Sequence, residues 1–217
     1  MGGALTGPAE AMQMRNKSAT RDQFPTDMAA KLKPADQMTI EEFLAFADAQ
    51  PDGETWELIE GIAYMSPSPV DWHQMIVGNI VRSLLNIKDE TNASWRAMPG
   101  VGTRVPVSPR SLPRPDVFIK HGALTGTAVT DDALVVFEVL SKSNSRSDQA
   151  WRKRVYASIP NCQHYVTIAT KRAEVVRYDR ASGWKGATST RLNAALDLPA
   201  VRVSIPLVQI YRWTPIK

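Results

Sequence analysis

Between Ala133 and Leu140 the chain reads ALVVFEVL, a near-continuous apolar run. A run of this length without polar alternation fits a strand buried on both faces, as in a sheet with helices packed above and below it. One residue breaks the pattern, because Glu138 stands inside the run. A second acid raises the same problem in RPDVFI, where Asp116 follows a proline at the head of another apolar strand. Two carboxylates in two core strands need a physical reason.

The flanking sequence supplies the remaining elements. Residues 1–37 mix Met, Ala, Pro, Lys and Asp without a period and are expected to form a tail, with one ordered domain over 38–217. Thr39 followed by Glu42 is a capping box for a first helix. WELIEGIAYM reads as a hairpin turning near Gly61, and apolar residues recur at helical spacing from Trp72 to about Asp89, with Asp71 as the expected cap. Further strands are expected near Trp95, at 103–107, at 116–120 and at 133–140, with a plain loop over 121–132. A helix capped by Ser145 or Ser147 should run to Ser158, before strands at 164–169 and 173–178, one containing Trp184, and one at 201–204. A short helix from Pro206 closes the chain. Helix, strands, long helix, strands, helix, strands makes an α/β domain with a mixed sheet.

Composition narrows the function. The 217 residues suit one globular domain with a full core, and no apolar run approaches the ~20 residues of a membrane span. The N-terminal residues lack the continuous apolar segment of a signal peptide. Cys162 is the sole cysteine, which excludes an internal disulfide and a cysteine-based zinc site, and reads as a small buried thiol. A reducing, cytoplasmic location is the resulting expectation. A formal charge of +4 admits a nucleic-acid partner without demonstrating one. His73, His121 and His164 have no ligand spacing, and no nucleophile-elbow, phosphate-loop or dinucleotide motif is present. Trp72, Trp95 and Trp151 are expected in the core.

If the Asp116 and Glu138 strands are neighbours, their backbones lie ~4.8 Å apart, and each carboxylate raises the pKa of the other. A divalent cation, Mg²⁺ or Mn²⁺, removes the conflict, because carboxylate oxygens are its natural ligands. On pattern alone a second reading stays open: both acids sit at strand ends, solvated or paired with Arg114 or Lys142. The helix after Glu138 bears on the choice. Trp151 and Val155 should face the sheet, Asp148, Arg152 and Tyr156 form a second stripe beside them, and Gln149 and Lys153 lie farther round. A cation on this helix could stabilise a pentacovalent phosphate, or it could belong to a solvated basic face.

WELIEGIAYMSPSPVDWHQMIVGNIVRSL, RPDVFI and LVVFEVLSKSNSRSDQAWRKRVYASIPNCQHYV, in this order, resemble the Uma-type restriction endonucleases of the PD-(D/E)XK nuclease superfamily. The resemblance covers Met38 to Trp213. It implies a restriction-endonuclease-like mixed β-sheet flanked by helices and a Mg²⁺- or Mn²⁺-dependent hydrolysis of phosphodiester bonds in DNA. Pro115-Asp116 matches the family's PD and Glu138 its second acid, so the resemblance implies that Asp116 and Glu138 hold the metal. Glu57 matches an early glutamate, implied to be an outer ligand or water-orienting acid, where an exposed strand acid is the plain alternative. Leu140 stands where the superfamily pattern has lysine, and this family commonly carries that lysine on the following helix. There, between Asp148 and Tyr156, the position holds Arg152, with Lys153 one place later. The resemblance therefore implies that Arg152 or Lys153 stabilises the transition state. Cutting both strands of a duplex favours a two-fold homodimer. The displaced lysine leaves an alternative, a nuclease-fold DNA-binding or interaction module with weakened or absent turnover.

Overall fold

The computed structural model describes residues 29–30, 37–141 and 144–216; the expected tail lies outside them except for Ala29, Ala30 and Gln37, and Lys142 lies outside them too. In chain order the elements are β1 (Ala29–Ala30), α1 (Ile40–Asp48), β2 (Thr55–Ile59), β3 (Ile62–Ser66), α2 (Asp71–Thr91), β4 (Arg96–Pro99) and β5 (Gly102–Thr103). β6 (Val117–Lys120), β7 (Val129–Thr130), β8 (Val135–Leu140), α3 (Arg146–Ala157) and β9 (His164–Ala169) follow. The chain ends with β10 (Val175–Asp179), β11 (Lys185–Ser189), β12 (Ala195–Leu198), β13 (Val203–Pro206) and α4 (Leu207–Ile210).

Six strands form the main sheet in the order β11-β10-β9-β8-β6-β4. Its pairs are antiparallel except β8 with β9, which α3 connects as a crossover. The ALVVFEVL run is therefore the interior strand that its composition demands. Side-chain alternation splits it between two cores. Val135, Phe137 and Val139 pack with Ile76, Ile80 and Leu84 of α2 on one face. Val136 packs with Trp151, Val155 and Tyr156 of α3 on the other. By the same alternation Glu138 points toward α3.

A second sheet, β1-β3-β2, stands beside the first. Its β2–β3 hairpin turns at Glu60 and Gly61, which have φ of 49° and 82°. Two consecutive positive φ values give the twist that closes a two-residue hairpin. At Gly61 a Cβ would come within 2.5 Å of the Gln37 side chain, so space as well as φ favours glycine. The α1 capping box is present, and Ser145 caps α3 by accepting from the Asp148 amide.

Several expectations need correction. Asp71 is the first residue of α2 rather than its cap; Val70 holds the cap position without a side-chain bond, and Asp71 Oδ1 accepts from the Trp72 amide. Trp72 is 41% exposed, whereas Trp95 and Trp151 are buried as expected. Trp72 sits in the first turn of α2, where it lines the open cleft rather than the core. The strand at 103–107 shrinks to β5, and the loop over 121–132 contains β7, because each exists only as a two-residue parallel pairing with the other. β12 was not expected; it is secured by antiparallel pairing with β13, which follows it across a short connection.

Cys162 is fully buried, and burial pushes its thiol up to about 12. The thiolate is the reactive form. Cys162 should therefore resist alkylation by iodoacetamide in the native protein and react on unfolding in urea. Prompt stoichiometric labelling without denaturant would contradict this packing.

Candidate active site

Asp116 lies immediately before β6, and β6 pairs with β8 in a register that joins Val117 to Phe137. Extending that register by one residue sets Asp116 opposite Glu138. The Asp116 carboxylate is held in place by the Val139 amide, which donates to Oδ2 at 2.7 Å. His73, from the first turn of α2, donates from Nε2 to the Val139 carbonyl at 3.0 Å and lies 3.6 Å from Asp116 Oδ1. A carbonyl can only accept, so Nε2 carries the hydrogen.

On the α3 side, Arg152 is 6% exposed and surrounded by acids. Its Nη2 donates to Glu57 Oε2 at 2.7 Å, its Nη1 to Glu57 Oε1 at 3.2 Å and to Glu138 Oε1 at 3.0 Å, and its Nε to Asp148 Oδ1 at 3.3 Å. Glu57 comes from β2, Glu138 from β8 and Asp148 from the preceding turn of α3. Tyr156 Oη donates to Glu138 Oε1 at 2.8 Å, the Arg114 amide to Glu57 Oε1 at 2.6 Å, and Asn144 Nδ2 to Asp148 Oδ2 at 2.9 Å. One guanidinium thus binds acids from three elements.

The charges do not balance. Glu57, Asp116, Glu138 and Asp148 bring four formal negative charges to a single arginine. Burial is the main cause that pushes Glu138 up to about 8, with Asp116 and Glu57 adding to the rise and Arg152 opposing it. Burial also raises Asp116, against the nearby His73 and the Val139 hydrogen bond. Both acids that face the cleft therefore favour a proton or another cation. In Glu138, Oε1 already accepts from Arg152 and Tyr156, which leaves Oε2 for that proton or cation. Among the described residues no three His, Cys, Asp or Glu side chains group as a ready-made metal cage. Two hard carboxylates in an open cleft nevertheless fit Mg²⁺ or Mn²⁺, which bind through one or two carboxylates and keep several waters. The cleft has a volume of 780 Å³ and is lined by Glu57, His73, Arg114, Asp116, Glu138 and Lys171 among others.

The structure brings Asp116, Glu138, Glu57 and Arg152 together. It does not bring Lys153 to them, since Lys153 Nζ lies 5.0 Å from the centre of the Tyr178 ring on β10. The Glu57 side chain is not the exposed strand acid of the plain alternative; it is 3% exposed and bonded to Arg152. Arg114 does not supply the alternative pairing either, since its side chain donates from Nε to the Gly100 carbonyl; the expectation for Lys142 lies outside the described residues. Asp148 and Tyr156 enter the site through the stripe they share with Arg152. His73 had no such signal, because its partners are 66 residues away on β8.

Two outcomes follow for stability. Arg152→Ala leaves Glu57, Glu138 and Asp148 buried without their cation, and should cost about 3–5 kcal/mol in a urea melt; an unchanged midpoint would show that the cluster is not ionised as drawn. Glu138 has a raised pKa, so between about 4.5 and 8 the folded state binds a proton that the unfolded chain has released. Folding stability should therefore fall as pH rises through that window, at up to about 1.4 kcal/mol per pH unit from this group. Glu138→Gln should flatten the profile; equal slopes in the two proteins would contradict the raised pKa.

A model of the family described as "Uma2: Putative restriction endonuclease" matches residues 40–207. Among solved structures, the crystal structure of a "putative nuclease belonging to DUF820" from Anabaena variabilis is similar at a TM-score of 0.64 and 15% identity, covering 81% of this chain and 98% of that one. At that identity the likeness concerns the fold, a mixed sheet flanked by helices of the restriction-endonuclease-like kind. A comparison with curated protein sequences found no match. Among the described residues no helix is long and apolar enough to cross a membrane. Because the family match runs from α1 to the start of α4, through both acid-bearing strands and the Arg152 helix, the chain belongs to the Uma2 restriction endonuclease family.

Proposed function

We propose that the chain is a metal-dependent endonuclease that hydrolyses phosphodiester bonds in DNA, with Asp116 and Glu138 holding Mg²⁺ or Mn²⁺. The observation that supports this most is that Asp116 and Glu138, carboxylates from adjacent strands, share the cleft, where burial shifts both toward protonation. A bound divalent ion would lower the pKa of a water and withdraw charge from the phosphate.

The protein's own groups then divide into those that face the substrate and those that hold them. Asp116 is aimed by the Val139 amide. Glu138 is aimed by Arg152 and Tyr156, both on its Oε1. Arg152 is a positioning residue in this reading: Nε, Nη1 and Nη2 are all engaged by carboxylates, so it fixes Glu138 rather than touching phosphate. Glu57 and Asp148 orient that guanidinium in turn. The opposite faces of β8 explain the economy of the arrangement, since His73 steadies the strand through the Val139 carbonyl while Arg152 steadies Glu138. A reducing, cytoplasmic setting and a homodimer that cuts both strands of a duplex belong to the same proposal.

A second reading has one observation in its favour. With Arg152 neutralised by acids and Lys153 against Tyr178, the helix presents no lysine to the cleft. A nuclease-fold module that binds DNA without turnover would show affinity for duplex and no nicking with either metal.

Asp116→Asn should abolish Mn²⁺- or Mg²⁺-dependent nicking of supercoiled plasmid. The amide oxygen can still accept from Val139, and one charge of the surplus is removed. The metal-free variant should therefore melt at or above the wild-type temperature. Retained cleavage would remove Asp116 from the site, and a markedly lower melting point would make its role structural.

A further inference from the structure

A polyanion approaching four acids is repelled unless cations stand in front of them, and Arg152 is buried below with four of its five N–H donors bonded to carboxylates. Two exposed cations line the same cleft, Arg114 and Lys171. No carboxylate among the described residues is within ion-pair distance of either. The contrast with the next residue is direct, since Arg172 is tied to Glu174 at 2.7 Å.

Each cation is fastened to the strand of one acid. Arg114 precedes Asp116 by two residues, its amide donates to Glu57 and its Nε to the Gly100 carbonyl at 2.8 Å, so the guanidinium is held at the cleft wall. Lys171 follows Thr170, whose hydroxyl donates at 2.7 Å to the Leu140 carbonyl at the end of the Glu138 strand. The short loop after β9 is thereby pinned to β8 with Lys171 on its solvent side.

We propose that Arg114 and Lys171 bind backbone phosphates of the nucleic-acid substrate at the mouth of the cleft and bring the phosphodiester over Asp116 and Glu138. This rests on the nuclease reading. Unpaired cations above a cluster with surplus negative charge are otherwise unexplained, because pairing with those acids would be electrostatically favourable and does not occur. The two residues supply position and charge; neither donates a proton or forms a bond.

The test is fluorescence anisotropy with a labelled DNA duplex and a labelled single strand of the same sequence, in EDTA, across a range of salt. Each lost phosphate contact lowers the slope of log affinity against log salt by about 0.9 on duplex and about 0.7 on single strand. Arg114→Ala and Lys171→Ala should each lower the slope by that step, and the double variant by about two steps. Arg114→Lys and Lys171→Arg should restore it, which a purely structural role for Arg114 would not. The relative loss on the two probes tells which form of DNA the pair contacts. If wild type binds and the double variant keeps the wild-type slope, this assignment fails while the nuclease reading stands. If wild type binds neither probe in EDTA and cuts neither when Mg²⁺ or Mn²⁺ replaces the EDTA, the nuclease reading fails and the assignment with it.

Discussion

The guanidinium of Arg152 is the interaction on which the site and much of the fold depend. Among the described residues it carries the only formal positive charge in direct contact with Glu57, Glu138 and Asp148, and those acids come from the second sheet, the main sheet and its own helix. A buried ion group of this kind is a weak source of net stability, since desolvation offsets most of the attraction. Its value is geometric. A forked donor with fixed angles sets where three carboxylates can point, and a lysine ammonium, a point charge on a flexible stem, could not set all three at once. The residue that departs from the family's lysine pattern is therefore the one best able to organise this particular cluster.

The acids explain the oddities in the strands. Glu138 interrupts an apolar run because the α3 face of β8 at that point meets Arg152 and Tyr156 rather than hydrocarbon. Asp116 sits after a proline because the chain enters β6 there, before pairing begins, and the carboxylate can reach the Val139 amide of the neighbouring strand. Among the described residues, Glu138 shares its one arginine with Glu57 and Asp148, and Asp116 has only the His73 ring nearby. That unfinished neutralisation separates a site from a structural ion pair.

Much of this was legible in the sequence, and the reasons are local. The α1 and α3 caps, the hairpin at Gly61 and the doubly buried strand at 135–140 are each written in consecutive residues. The stripe of Asp148, Arg152 and Tyr156 was visible as helical spacing, Asp116 and Glu138 as carboxylates in apolar strands, and Glu57 through the family resemblance. What was hidden depends on partners in other elements. β5 and β7 exist through each other, β12 through β13, and His73 acquires its role from a carbonyl on another element. Trp72 misled because a large aromatic side chain favours burial but does not show that neighbours reach it, and here it borders the cleft.

The sequence distance between Glu57 and Arg152 has a consequence for the unfolded chain. The two are 95 residues apart, so bringing them together without the intervening structure would close a loop whose entropic cost is about 4 kcal/mol, with a further constant. A solvated ion pair in water returns only about 0–1 kcal/mol. The Glu57–Arg152 pair therefore has no precursor in the denatured ensemble. Glu57, on the hairpin, meets Arg152 only when both sheets stand side by side. A chain in which the hairpin has come away would still hold Glu138 and Asp148 around Arg152 and would lose the Glu57 arm, so docking of the second sheet is the step that completes the cluster.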